Sequence, residues 1–396
     1  MHSTNAYPRR IAGGRPRRLR ALIAFAGVVL AALVAASAAD AKPKPAKPLP
    51  VEVMTRNLFL GADLGPAIAA ADPAGLVAGS GAILREVTET DFERRAVALG
   101  REIRRQSPDF VGLQEVALWR EGPPDQSAFV GVFTAEDVRQ DFLAMLLAEV
   151  NKGKLKYRRA VVQREFDFES PADEDGDAGT GSPTLFGADL NGRLTMRDVI
   201  LVRRDPRLRV RRPHGDHFET QLVLGVAGGE VRVARGWTAL DAAVTRGKGK
   251  RRVVRRFRLV NTHLEAFDDR TEVPSIRARQ AAELIAPGGA ASRGRVVLLG
   301  DLNSDVPGLV AGDEQAFQVL LDGGFARRST TVPPSCCVSD LFSAPPSEFD
   351  HVVDHVVTNK PAKVKLARSA VTGLEQVGGI YPSDHAGVVS RLLLRR

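Results

Sequence analysis

Six short apolar runs in this chain end in side chains that can hold a cation or move a proton. They are Asn57 in VEVMTRNL, Glu115 in DFVGLQEV, His263 in RLVNTHLE, Asp301 and Asn303 in VVLLGDLNSD, Asp354 in FDHVVDHVVTN, and Asp384-His385 in YPSDHAGVV. Carboxylates suit a hard divalent cation, imidazoles suit proton transfer, and an amide can donate to an anionic centre. Any one of these residues alone has a plain explanation, since asparagine and aspartate form turns and a single histidine is commonly a hydrogen-bonded core residue. Their recurrence at the ends of apolar runs is different, because layered α/β folds present functional groups there on a rigid support.

The apolar runs at 51–58, 109–116, 159–163, 198–203, 256–264, 296–301, 351–358 and 387–394 are rich in valine and isoleucine and are expected to be strands. Helical spacing appears between them. In 91–106, Phe92, Ala96, Leu99 and Ile103 fall on one face with charges opposite, and 136–150, 275–286 and 314–321 follow the same pattern. Helices interleaved with buried strands imply a layered α/β domain.

In order along the chain, Asn57, Gln114-Glu115, NTHL at 261–264, GDLN at 300–303, Asp354 opening an aliphatic strand, and SDH at 383–385 resemble the endonuclease/exonuclease/phosphatase superfamily of DNase I-like enzymes. The resemblance runs from about Val51 to Leu394. It implies a four-layer sandwich, two mixed β-sheets packed face to face with helices outside, and hydrolysis of phosphodiester bonds with a divalent metal. Magnesium is the expected cofactor, with manganese and calcium as alternatives. Under this resemblance Asn57, Glu115 and Asp384 hold the metal or its water shell. Asp301 orients or deprotonates the attacking water, Asn303 donates to the phosphoryl group, His263 and His385 act on the phosphate, the nucleophile or the leaving oxygen, and Asp354 orients His385. Asp350 competes with Asp354 for that last role, and His355 stands where the family commonly has tyrosine. The stretch DLNGRLTMRDVILVR at 189–203 resembles the family's central strand, which makes Asn191 and Arg197 candidate substrate contacts; a strand opening followed by a solvated arginine is the alternative.

The chain has 396 residues and a formal charge of +9, which by itself would suggest a polyanion partner. The charge is concentrated at the start. Residues 1–41 contain six arginines and one acid, and Lys42, Lys44 and Lys47 follow, so the remainder carries only about +1. The arginine-rich opening, the apolar run at 21–36 and the small residues at 36–41 have the three parts of a secretory signal, with cleavage expected near Ala41. The run is shorter than the roughly 18 residues expected of a spanning helix. The expected organisation is a signal peptide at 1–41, a lysine- and proline-rich linker at 42–50 and a catalytic domain at 51–396, hence a secreted or extracytoplasmic protein. Both twin-arginine and general export fit the arginine pairs.

Two basic runs remain in the body, at 203–212 and 246–258, and the second leads into the strand of His263. Solvated hairpin strands whose arginines face water explain these runs equally well; nucleic acid takes a slight lead over a phospholipid or sphingomyelin as the substrate, with small phosphate esters third. Trp119 and Phe129 could touch lipid, though packing explains them equally. The loop PADEDGDAGTGSP at 171–183 opens like a calcium loop but has Ala178 and Thr184 where the turn glycine and bidentate glutamate belong, so it reads as solvated. The only cysteines, Cys336 and Cys337, are adjacent, which excludes a multi-disulfide scaffold and leaves thiols, a vicinal bridge or an intermolecular bond. No feature points to an obligate protein partner, and a monomer is expected. A non-catalytic binding module on the same fold remains as an alternative, as does a serine hydrolase using Ser304 or Ser383, although no GxSxG elbow precedes a helix.

Overall fold

A computed structural model of the chain describes residues 47–154, 156–267, 271–309 and 313–396. The expected signal segment and the first residues of the linker lie outside them. Among the described residues, no helix is long and apolar enough to cross a membrane.

Two mixed sheets form the core, as expected. Sheet one contains β1 (Leu49–Asn57), β2 (Phe110–Gln114), β3 (Leu118–Gly122), β4 (Asp137–Asp141), β5 (Tyr157–Ala172), β6 (Leu190–Arg203), β15 (Val364–Thr372) and β16 (Gly387–Leu394). Its order is β15-β16-β1-β2-β6-β3-β4, with β5 also paired to β6. Sheet two runs β13-β14-β12-β11-β10-β7, from β7 (Leu208–His217), β10 (Gly236–Arg246), β11 (Val253–His263), β12 (Val296–Asp301), β13 (Ala326–Arg327) and β14 (Asp354–Thr358). A separate hairpin pairs β8 (Leu222–Val226) with β9 (Gly229–Val233).

Two-residue alternation assigns each side chain to a layer. Val51 and Val53 of β1, Val297 and Leu299 of β12 and Val356 of β14 meet between the sheets. Their neighbours Met54, Leu298 and Val357 point outward to the helices. Outside sheet one lie α2 (Pro73–Glu89), α3 (Phe92–Gln106) and α4 (Phe142–Val150), with the short α1 (Gly65–Ile68) leading into α2; outside sheet two lie α5 (Ile276–Ile285) and α6 (Gln315–Asp322). The expected face of α3 is buried, and Asp91 caps it by accepting from Arg94 N. The pattern at 136–150 divides in two: β4 precedes the helix, which starts only where Asp141 accepts from Leu143 N and Ala144 N.

A polar tie crosses the sandwich beneath its functional end. Gln114 of β2 donates to Asn261 Oδ1 of β11 and accepts from Thr55 Oγ1, and Asn261 donates back to Leu113 O and to Thr238 Oγ1. Gly112 makes room for the tie, since a Cβ there would lie 2.0 Å from Leu299 Cδ1 and 2.2 Å from Asn261 Oδ1. Gly112→Ala is expected to lower stability by about 1–3 kcal/mol through overpacking, measured by urea denaturation of both proteins.

Candidate active site

Strand register brings the polar strand ends together. Asn57 lies beside Gln114 in the parallel β1–β2 pair, His263 beside Asp301 in the parallel β11–β12 pair, and Asp301 opposite Asp354 in the antiparallel β12–β14 pair. Asp384 and His385 arrive on the loop just before β16. This end of the sandwich opens into a recess of about 1240 Å³, partly solvent, whose walls include Glu115, Asp384, Phe59 and Phe342.

Asn57 joins the two halves. Its Nδ2 donates to Glu115 Oε1 and to Asp301 Oδ2, each at 3.0 Å, while its Oδ1 accepts from Phe59 N. Glu115 Oε2 accepts from Leu60 N at 2.8 Å. Glu115 has φ +53° and Asn303 φ +45°, a left-handed conformation uncommon for residues with a Cβ and found where a site must be aimed. Asn303 N donates to Asp301 Oδ1, and its side-chain amide donates to Leu264 O.

The two histidines flank Asp301. His263 Nε2 lies 3.5 Å from Asp301 Oδ2 and 3.9 Å from Glu115 Oε1, and His385 Nε2 lies 3.6 Å from the same Asp301 oxygen. His385 Nδ1 donates to Asp354 Oδ2 at 2.9 Å, and Ser335 Oγ donates to that oxygen at 2.8 Å. Asp354 is therefore the carboxylate that meets His385, whereas Asp350 is exposed and faces His351. His263 has a different partner. Arg235 Nη1 donates to His263 Nδ1 at 3.1 Å, which puts the imidazole proton on Nε2, facing the carboxylates.

These environments drive the two imidazoles apart. Burial, then the charges of Arg235 and His385, hold His263 well below its ordinary 6.5, so it is neutral. Burial would lower His385 too, but Asp354, Asp301 and Asp384 outweigh it and hold this imidazole well above 6.5. Burial pushes Asp301 up to about 6, with the charge of Asp354 adding to it and His385 opposing. Burial also takes Asp384 to about 6, aided by Glu115. Asp198 on β6 rises well above the ordinary carboxylate range through burial and the charges of Glu115 and Asp301.

Asn191 and Arg197 stand outside this convergence. Arg197 donates to Val116 O at 2.8 Å, Ala117 O at 3.0 Å and Asp141 Oδ1 at 2.6 Å, so it braces the turn that carries Glu115. Asn191, fully buried, donates to Glu169 and Asp125; it lies about 20 Å along β6 from Asp198 at the usual strand rise. Its bonds are spent on the fold because β5 and the loop before β4 close over that end of the strand. Trp119 is buried, with Nε1 donating to Leu60 O, and Phe129 is exposed. Ser304 Oγ donates to Asp313 O and Ser383 Oγ to Asn57 O, so each hydroxyl is committed to backbone.

Several residues at the site were not legible beforehand. Asp198 had one signal, a charge inside the apolar run MRDVILV, and Glu265 directly follows NTHL. Arg235 had none: it leaves the β8–β9 hairpin, away from every motif. Cys336 and Cys337 are bonded to each other as a vicinal disulfide, and each sulfur lies 3.6 Å from His385 Nε2.

The sequence matches the model of the Endonuclease/Exonuclease/phosphatase family over residues 77–385. The chain belongs to this family. Members of the family hydrolyse phosphoester bonds. A solved family protein from Bacteroides thetaiotaomicron is similar at a TM-score of 0.53 and 13% identity, covering 89% of this chain and 100% of its own. A mannosyl-6-phosphatase from the same organism follows at 0.47 and 14%, covering 86% and 99%. Truncated Caenorhabditis elegans TDP2 is at 0.39 and 17%, covering 87% and 98%. No curated protein matches in a sequence comparison.

His355, beside the orienting carboxylate, serves the fold. Fully buried, it donates from Nε2 to Ser304 O at 2.8 Å and stacks on Phe317, which anchors the loop after GDLN. Burial lowers it from 6.5 to about 4. Between those pH values the unfolded chain takes up a proton that the folded chain excludes, so this contribution is complete above pH 6.5 and is lost as pH falls towards 4. Denaturation across that window is expected to show an acid-side loss of up to about 3 kcal/mol, which His355→Gln removes.

Proposed function

We propose that this protein is an exported, divalent-metal-dependent phosphodiesterase. The observation that carries the reading is Asp301, held by Asn57 against Glu115 while the Nε2 atoms of His263 and His385 face it from either side. Export rests on the arginine-rich opening, the apolar run and the small residues ending near Ala41.

The donor set fits a hard cation. Glu115 and Asp384 both line the recess, and Asn57 lies beside Glu115. Oxygen donors of this kind suit magnesium or manganese. When bound, such an ion supplies positive charge that polarises a phosphoryl oxygen.

In hydrolysis, the oxygen of a water bonds to phosphorus while the ester P–O bond opposite breaks, and the departing oxygen takes a proton from solvent. Asp301 orients the water and accepts its proton. His385, kept charged and aligned by Asp354, donates to a phosphoryl oxygen. His263, neutral with its proton on Nε2, donates on the same side as Asp301. Asn303 aims the loop that carries Asp301, through its bonds to Asp301 and Leu264 O.

The slight lead given to nucleic acid rested on the basic run that enters β11. Arg252, Arg256 and Arg258 of that run, with Arg209, Arg211 and Arg295, line a groove towards the opposite end of that strand. These arginines, from 252 to 258, are about 17 Å or more from His263 at the usual strand rise. That arrangement puts the groove away from the recess, so the basic run lends a nuclease reading little support over the lipid one.

The purified protein with magnesium is expected to hydrolyse bis-p-nitrophenyl phosphate and to lose that activity on chelation. His385→Ala should lower kcat by about 10²–10⁴. Full activity after chelation would remove this reading.

A further inference from the structure

Beside the catalytic recess, between the β8–β9 hairpin and the outer face of sheet one, lies a second cavity. It spans about 820 Å³, part of it open to solvent. Leu224 and Val231 of the hairpin, Ile83 of α2, Phe166 of β5 and Met196 of β6 wall it, with Ser80 of α2 at its side. Protein cores close to crystalline density, so a space this large and this apolar is a feature to be explained.

Its position provides the explanation. The β8–β9 hairpin pairs with neither main sheet, and alternate residues of both its strands line the cavity instead of filling it. Arg235, just after the hairpin, lines the cavity and donates to His263 Nδ1. Leu64 and Phe267 line both the cavity and the catalytic recess, and Phe267 is 49% exposed. An apolar chamber and a phosphoryl site thus share a wall.

Resting on the hydrolase reading above, we propose that this cavity receives an acyl or alkyl chain of the substrate. The substrate class is then an amphiphilic, lipid-like phosphodiester whose head lies against Asp301 and whose tail passes Phe267 into the chamber. Nucleic acid would bring hydrogen-bonding base edges to walls that cannot meet them, at a cost for each unpaired group. The arginines that could meet its phosphates are at the other end of β11.

The test is a series of alkyl p-nitrophenyl phosphates, from methyl through butyl and octyl to dodecyl, each below its micellar concentration, with magnesium. From methyl to octyl, kcat/KM should rise roughly two- to fourfold per methylene until the chamber is full. Ser80→Phe, which fills the cavity from α2, and Leu224→Asp, which charges its wall, should flatten the series while leaving the methyl ester's rate unchanged. Equal kcat/KM across the series, or a slope untouched by both variants, would overturn the subsite. So would cleavage of DNA faster than that of the octyl ester, with a flat series, which would assign nucleic acid instead. If no ester is turned over, the hydrolase reading fails on its own, and calorimetry still reads the cavity. Decyl phosphate binding more tightly than methyl phosphate, with the difference lost in both variants, supports the chamber; equal affinities refute it.

Discussion

One amide holds opposing charges in place. The two protons of Asn57 Nδ2 go to carboxylates from different sheets, Glu115 and Asp301, which would otherwise repel each other across a poorly hydrated gap. Around that pair the chain also buries Asp198, Asp354 and Asp384 and answers them with Arg235, Arg95 and the charged His385. Arg95 is fully buried and donates to Leu58 O, Phe59 O and Pro382 O, which ties the loop after β1 to the loop carrying Asp384. Such a concentration of acids is costly without positive partners, and the side chains present are those a hard cation would complete.

The two histidines show how environment divides labour between identical side chains. A carboxylate at Nδ1 makes His385 a cation, whereas burial, aided by a guanidinium at Nδ1, keeps His263 neutral. Both turn Nε2 towards Asp301. One imidazole can therefore offer charge and the other only a proton, although the sequence presents both simply as histidines at strand ends.

Much of the core sandwich was legible because its signal is local. Valine-rich runs ending in Asn57, Glu115, His263 and Asp301 announced strands that stop where chemistry begins, and parallel register brought those ends together. What was hidden depended on distant partners. Arg197 resembled a substrate contact because its carbonyl neighbours, Val116 and Ala117, are 80 residues away. β4 reads as the first turns of a helix in sequence, and β3, β7 to β10, β13 and β15 fall outside the eight expected strands. The run 246–258 adjoins His263 in sequence, yet a strand keeps its two ends apart. Arg235, the group that fixes the tautomer of His263, had no motif because the contact exists only after the hairpin has folded back.

The buried Gln114–Asn261 tie has a consequence for how the site can change. An amide pair sets a fixed separation between the sheets where methyl groups would tolerate a range, and each sheet carries half of the reacting groups on its rim. Asn57, His263, Asp301 and Asp354 sit on the strands themselves, so loops that carry none of the site residues can vary without moving these four relative to one another. The tie thus acts with the Asn57–Asp301 bond to set how far the rim of one sheet stands from the rim of the other, through a polar contact buried in the sandwich, out of reach of any substrate.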